Sequence, residues 1–218
     1  MLAQVPLFAP LPPDALDELS ARLRRRPYNR GEAVFREGDA GTSLYIVQAG
    51  HVKLSLTSAE GREIIIDLLG PGDVFGELAL LDGEPRSADA VATESSELLH
   101  LERDEFKRFV LQRPSLALEL LAILSRRVRR DTQLLQDAAF LEVPARLART
   151  ILRLAEPSPD GGPSVTPRLN QSDLAGLAGT TRETLNKWLG EFQDDHLIRL
   201  DKGRISVLDP HRLRQRLV

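Results

Sequence analysis

Gln171-Ser172-Asp173-Leu174-Ala175-Gly176-Leu177-Ala178-Gly179-Thr180-Thr181-Arg182-Glu183-Thr184-Leu185-Asn186-Lys187-Trp188-Leu189 has the spacing of two short helices joined by a tight turn. With Gln171 as the first position, Ala175 is the fifth, Gly179 the ninth, Leu185 the fifteenth and Trp188 the eighteenth. A helix-turn-helix needs a small fifth residue, because the second helix packs closely over it. Its ninth residue lies in the turn and favours glycine, which accepts positive φ. The fifteenth and eighteenth positions close the core. Asn170 suits the N-cap of the first helix, and Thr180 or Thr181 that of the second.

With Leu185, Trp188 and Leu189 facing inward, Thr181, Arg182, Thr184 and Lys187 fall on or near the outer face of the second helix. Arginine and lysine near a helix N-terminus suit base edges and phosphates in a major groove. Downstream, Leu197-Ile198-Arg199-Leu200-Asp201-Lys202-Gly203-Arg204-Ile205-Ser206-Val207 reads as a hairpin with its turn at Asp201–Gly203, a basic wing able to reach phosphates. The plainer reading of the motif is a helical hairpin with a solvated charged face. Thr180-x-x-Glu183 also matches a capping box, which would make Glu183 structural, and Trp188 reads as core rather than as a stacking platform.

Upstream, residues 144–155 read as a helix opened by Pro144, followed by a Pro/Gly/Ser-rich loop over 156–164. A long helix is expected over 115–139, where no Gly or Pro interrupts the chain. Ala117, Leu121, Leu124, Val128, Asp131, Leu135 and Ala138 form a 4-3 seam, so this helix should pair with another. Asp131 is the one charged member of that seam. It sets the register, or something polar sits against it. Residues 104–112 and 12–26 read as further helices, the latter on Leu16, Leu19 and Leu23.

Between 28 and about 102 the texture is different. Glycines at 31, 38, 41, 50, 61, 70, 72, 76 and 83 separate short apolar runs such as Leu44-Tyr45-Ile46-Val47 and Ile64-Ile65-Ile66. Turns at such intervals read as a β-sandwich or barrel. Within this region stands Pro71-Gly72-Asp73-Val74-Phe75-Gly76-Glu77-Leu78-Ala79-Leu80-Leu81-Asp82-Gly83-Glu84-Pro85-Arg86-Ser87-Ala88. Gly76-Glu77-Leu78-Ala79 can begin a short helix whose N–H groups point at an anion. Arg86 supplies a fork for phosphate oxygens and Ser87 a hydroxyl, while Glu77 can accept from a sugar hydroxyl. A phosphate beside a sugar hydroxyl indicates a nucleotide.

The composition sets outer limits. The 218 residues are 42% hydrophobic and 28% charged, the balance of a globular chain, with two domains expected. No apolar run approaches the length of a membrane span, no secretory signal opens the chain, and the absence of cysteine excludes disulfides and thiolate-held metal. A cytoplasmic protein without a membrane partner is expected. The overall charge of −3 does not by itself indicate nucleic acid, but residues 141–218 carry +2 and residues 1–140 carry −5. His51, His100, His196 and His211 show no ligand spacing, so neither a metal site nor a catalytic role is expected.

The whole chain, over about residues 7–208, resembles the cyclic-AMP receptor protein and fumarate–nitrate regulator family of bacterial transcription factors. The resemblance is carried by Gly31, Gly38-Asp39, Leu44-Tyr45-Ile46-Val47, Gly50-His51-Val52-Lys53, residues 70–92, Ala139-Phe140-Leu141 and Thr181-Arg182-Glu183-Thr184. It implies an α+β fold. A jelly-roll-like, cyclic-nucleotide-binding β-roll (1–113) precedes a long dimerisation helix (114–140) and a winged helix-turn-helix (141–218). In the cAMP-binding branch, phosphate contacts correspond to Arg86 and Ser87 with backbone at Ala88, the ribose contact to Glu77, and the rest of the ligand segment to Gly76, Leu78 and Ala79. The adenine-contacting pair is Thr-Ser in the receptor and Asp131-Thr132 here. Thr132 is a conservative match, expected to reach the nucleotide bound in the partner subunit, whereas Asp131 adds a carboxylate near an anionic ligand. DNA contacts map to Asn170, Gln171, Thr181, Arg182, Glu183, Thr184, Lys187, Lys202 and Arg204. They imply a palindromic site with TGTGA-like halves, although lysine at 187 replaces the receptor's arginine. RNA polymerase would be met through the 156–166 loop. The expected protein is thus a homodimeric, cAMP-controlled transcription regulator, usually an activator in this family. The alternatives are the same regulator with no ligand or another ligand, or the regulatory subunit of an enzyme.

Overall fold

The apolar runs between glycines form strands, because each is too short for a helix and turns back at a residue that tolerates reversal; with Arg24–Tyr28, which is not such a run, residues 24–102 hold eight. The structure, a computed structural model, describes residues 2–157 and 163–217. The strands are β1 (Arg24–Tyr28), β2 (Ala33–Phe35), β3 (Ser43–Ala49), β4 (Val52–Thr57), β5 (Glu63–Leu69), β6 (Val74–Phe75), β7 (Asp89–Ala92) and β8 (Ser96–Glu102). They make two four-stranded sheets, ordered β1-β8-β3-β6 and β2-β7-β4-β5. At the β3–β4 turn Gly50 has φ +80°, and a Cβ there would stand 2.7 Å from the Ser96 backbone, so glycine alone fits.

Alternation along the strands sorts side chains into two cores. Val47 and Leu98 join Tyr28, Val52, Leu69, Phe75, Ala90 and Ala92 in one. Leu44, Ile46, Leu99 and Leu101 point to the other. That second core is completed by Leu19 of α1 (Pro13–Arg22), Phe106 and Phe109 of α3 (Arg103–Gln112), and Leu116 and Leu120 of α4 (Pro114–Phe140). A five-residue helix, α2 (Leu78–Asp82), sits between β6 and β7. The helix expected over 12–26 is corrected: it ends at Arg22, and Arg24–Tyr28 is β1, paired antiparallel with β8 from Arg24↔His100 to Tyr28↔Ser96. Tertiary strand pairing here outweighs local helix preference, and Pro27 is tolerated because β1 is an edge strand.

Two compact units partition the chain: Met1–Gly61 with Ile66–Asp131, and Arg62–Ile65 with Thr132–Val218. The division falls inside α4. In the second unit, α5 (Val143–Leu154) turns Leu147, Ala148 and Ile151 inward and packs against α6 (Gln171–Ala178), α7 (Arg182–Asp194) and α8 (Pro210–Gln215). β9 (Ile198–Asp201) and β10 (Arg204–Val207) form an antiparallel hairpin. Its two-residue turn has φ +45° at Lys202 and +84° at Gly203, the positive pair that matches strand twist. Among the described residues no helix is long and apolar enough to cross a membrane.

Along α4, Leu121, Val128 and Leu135 of the expected seam are exposed, whereas Leu124 is partly buried against the second core. α6 begins where the cap predicts: Asn170 Oδ1 accepts from Asp173 N at 2.7 Å, and Asn170 Nδ2 donates to Asp173 Oδ2 at 2.5 Å. Asn170→Ala is therefore expected to destabilise this unit by about 0.5–2 kcal/mol, which urea unfolding followed by Trp188 fluorescence will measure.

Candidate functional site

The segment singled out at 71–88 folds around a buried guanidinium. Arg86 is only 4% exposed. Its two terminal nitrogens donate to Gly76 O at 2.6 Å and Ser43 O at 2.7 Å, and its guanidinium carbon stands 4.2 Å from the centre of the Phe35 ring. Burial pushes the Arg86 pKa down, against the nearby Tyr45 and Glu77. A Cβ on Gly76 would lie 2.6 Å from the Arg86 side chain, and Gly76 has φ +77°, so its glycine is doubly required.

Glu77, at 1% exposure, is the neighbouring charge. It forms an ion pair with Arg127 of α4, which also donates to Val74 O. Glu77 Oε2 and Arg86 Nε are both buried without a protein partner. These two residues, Arg127, and Gly76, Leu78, Ala79, Ser87, Ala88, Phe35 and Leu54 line one cavity of about 50 Å³. Ser87 is exposed at its lip, while Ala88 is buried. Each terminal nitrogen of Arg86 carries a second N–H beyond the one it gives to a carbonyl, so the donors for an anion survive burial. The arrangement pairs an anion-seeking group with an acceptor for hydroxyls in a largely dry setting.

Asp131 does not line this cavity. It is exposed, 3.9 Å from Arg130 Nε. Thr132 is exposed on α4, in the second unit.

On the second unit, Arg182, Glu183, Asn186 and Lys187 are all exposed along α7, and Thr181 is its N-cap. Thr181 Oγ1 accepts from Thr184 N at 3.2 Å and donates to Thr184 Oγ1 at 3.0 Å. The capping box written as Thr180-x-x-Glu183 is thus corrected: the cap lies one residue later, and Glu183 is left on the surface. Leu185 and Leu189 are buried as expected, but Trp188 is only partly so, with Lys187 Nζ 5.2 Å from its ring centre. Gln171 is exposed at the start of α6, and Lys202 and Arg204 are exposed on the wing. Of the 156–166 loop, residues 158–162 lie outside the described residues; Glu156 and Val165 form a bridge at its base.

Known proteins divide along the same lines. A cyclic nucleotide-binding domain model matches residues 25–113, and a Crp-like helix-turn-helix domain model matches residues 145–216. A CRP-like cAMP-activated global transcriptional regulator of Mycobacterium tuberculosis is 36% identical over 99% of this chain and 98% of its own length. The chain belongs to the CRP/FNR family of transcription regulators. The crystal structure of the Thermus thermophilus catabolite activator protein matches at 37% identity with a TM-score of 0.56, covering 97% of this chain and 98% of that one. A global nitrogen regulator of Synechococcus elongatus is 32% identical over 88% of this chain and 89% of its own. The chain is accordingly a DNA-binding regulator with a cyclic-nucleotide-binding domain, and its family consists of regulators rather than enzymes.

Sequence reading of this CRP/FNR member passed over Arg127, Phe35 and Leu54. Phe35 and Leu54 carry no local sign of a cavity. Arg127 does carry one: Leu116, Leu120, Ile123, Arg127 and Arg130 repeat the 4-3 spacing one residue out of phase with the seam. An arginine on a buried stripe demands a counter-charge. Arg127→Met should strand the Glu77 carboxylate and destabilise the first unit by about 3–5 kcal/mol. Adding Glu77→Gln should recover most of that loss, as chemical unfolding of the single and double variants will show.

Proposed function

We propose that this CRP/FNR regulator is a cytoplasmic homodimer whose DNA binding is controlled by cAMP held at the 76–88 segment. The observation that carries the reading is the buried pair of Arg86 and Glu77, each with a polar atom left without a protein partner beside one cavity. Arg86 and Ser87, with backbone at Ala88, suit the cyclic phosphate. Glu77 suits the ribose hydroxyl, and Gly76, Leu78 and Ala79 shape the wall. Asp131 and Thr132 of α4 are assigned to the adenine, Thr132 from the partner subunit. The exposed Leu121, Val128 and Leu135 support pairing through α4, since a lone amphipathic helix of this length would leave its apolar face in water. We assign polymerase contact to the 156–166 loop, on family resemblance alone. We divide the chain into nucleotide domain, dimer helix and winged helix at 1–113, 114–140 and 141–218.

A second reading keeps the regulator and changes the ligand. It is favoured by Asp131, whose carboxylate replaces the receptor's neutral side chain. Asp131 can accept from the adenine amine, or it can oppose an anionic ligand. Titration calorimetry separates the readings. Under the first, cAMP binds wild type, and Arg86→Leu, verified as folded by circular dichroism, binds at least tenfold more weakly. Loss of a charge-assisted bond worth about 1.5–3 kcal/mol requires that drop. Operator DNA must then raise cAMP affinity by the factor with which cAMP raises DNA affinity. No heat with cAMP, or an unchanged constant in Arg86→Leu, would move the assignment to another ligand.

For DNA, α7 is assigned to the major groove. Arg182 is set to meet guanine O6 and N7, Glu183 a cytosine amine, and Lys187 guanine or phosphate. Thr181 and Thr184 border that face, and Asn170 and Gln171 lie at the phosphate-facing start of α6. A two-fold dimer calls for inverted TGTGA-like half-sites one helical turn apart, roughly 34–36 Å centre to centre. Selection from random duplexes is expected to return that palindrome with two chains bound. Arg182→Ala should cost about 1–3 kcal/mol and relax preference at one guanine. Lys202→Ala or Arg204→Ala should weaken all sequences alike and lower the salt slope by about one.

A further inference from the structure

The leading side chain of α7 is held by the leading side chain of α6. Arg182 Nε donates to Gln171 Oε1 at 3.0 Å, and Asn186 Nδ2 donates to the same oxygen at 3.3 Å. A carbonyl oxygen has two lone pairs, so these two N–H groups use it fully. All three residues are exposed on the face that carries Glu183 and Lys187. On an exposed surface an arginine ordinarily samples many rotamers, and ordering it on binding is costly. Here the bond at Nε removes much of that freedom beforehand.

The bond also selects which edge of the guanidinium is presented. Guanidinium has five N–H groups, one of them on Nε. With that one engaged by Gln171, the four that remain are on the two terminal nitrogens. The donor pair left for a base is therefore the end-on fork, whose spacing matches guanine O6 and N7. Asn186, one turn beyond Arg182, donates to the same oxygen. The NH2 of Gln171 is still free to meet a backbone phosphate, which would tie the register of α6 on the duplex to the direction of Arg182.

We infer that Gln171 is a positioning residue for base reading, presenting the Arg182 fork end-on with Asn186 as its second support. This rests on the assignment of Arg182 to a guanine. The plain alternative, that Gln171 touches a phosphate and nothing more, predicts a different pattern of loss. A phosphate contact weakens every sequence equally, whereas a bracket on Arg182 acts on discrimination at the one base that Arg182 reads.

The test uses the full-length protein with cAMP present. Duplexes carry inverted TGTGA half-sites, the same sites with each guanine replaced in turn by adenine, and random sequence. The variants are Gln171→Met, which keeps the stem and removes the amide with its acceptor, Arg182→Ala, and the two combined. The guanine whose replacement ceases to matter in Arg182→Ala is the one Arg182 reads. At that position Gln171→Met should lower discrimination, the ratio of affinities for the intact and the replaced duplex, about three- to tenfold, the worth of one to two modest hydrogen bonds, on top of any equal loss on all duplexes from the missing amide. In the Arg182→Ala background it should have no further effect on discrimination, because the bracket has nothing left to hold. Equal loss on all duplexes, additive with Arg182→Ala, would reduce Gln171 to a phosphate contact and overturn the inference. Unchanged discrimination in Gln171→Met beside a clear loss in Arg182→Ala would overturn it while leaving the reading of Arg182 in place. If no guanine loses its effect in Arg182→Ala, that reading itself fails and the inference goes with it.

Discussion

Burying a guanidinium without a full set of polar partners is expensive, and much of the first unit is arranged around Arg86. Its donors hold carbonyls from β3 and from the β6–α2 junction, and a ring from β2 stacks on its face. Bringing the backbone that close requires glycine at Gly76, and also at Gly41, where a Cβ would collide with Ala79 and crowd the Arg86 guanidinium. The same packing places Glu77 beside it, dry and paired with Arg127. A charge that shapes the fold is thus also the charge that an anionic ligand would meet. The lining needs no rearrangement to acquire its polarity, only to admit a larger group than its cavity now holds.

α4 serves two faces with one spacing. Its exposed seam is mostly apolar. The second stripe, displaced by one residue and so turned by about 100°, begins apolar at Leu116, Leu120 and Ile123 and then becomes charged. Arg127 meets Glu77, Arg130 meets Asp67 at 2.6 Å, and, further along the stripe, Asp137 meets Arg149 of α5. Each charge on that face has an opposite charge from another element. Ion pairs are more directional than apolar contacts, and an unpaired buried charge is costly, so they specify the rotation of α4 about its axis more sharply than leucines would. On this helix the residue in contact with Glu77 and the exposed seam lie on two stripes one residue out of phase.

The surface proposed to meet DNA rests on different physics. α5, α6 and α7 meet through Leu147, Ala148, Ile151, Leu174, Ala175, Leu185 and Leu189, all buried. That apolar base leaves the polar face of α7 with little structural duty. Thr181 satisfies the helix end, so Arg182 and Glu183 are released from capping. Gly179, at φ +60°, makes the turn that brings Gln171 and Arg182 within hydrogen-bonding distance although they stand 11 positions apart in the chain.

Local pattern determined much of this protein. The glycine-broken strands, the long uninterrupted helix, the helix-turn-helix spacing and the Asn170 cap all follow from short-range rules, because turns, periods and caps are settled within a few residues. The second phase of α4 was legible too, but an arginine-rich run hides it unless the apolar residues before it are followed in register. Other features were not legible. Arg24–Tyr28 is a strand because β8 supplies its hydrogen bonds, not because its residues prefer one. Leu124 belongs to the seam by spacing, yet it is partly buried against the core that Leu116 and Leu120 complete. Whether Arg86 faces solvent or the interior, which acid Arg127 answers, and which of two threonines caps α7 depend on distances between segments far apart in the chain. Desolvation and ion pairing act through space, so those features were decided only when the sheets and helices packed.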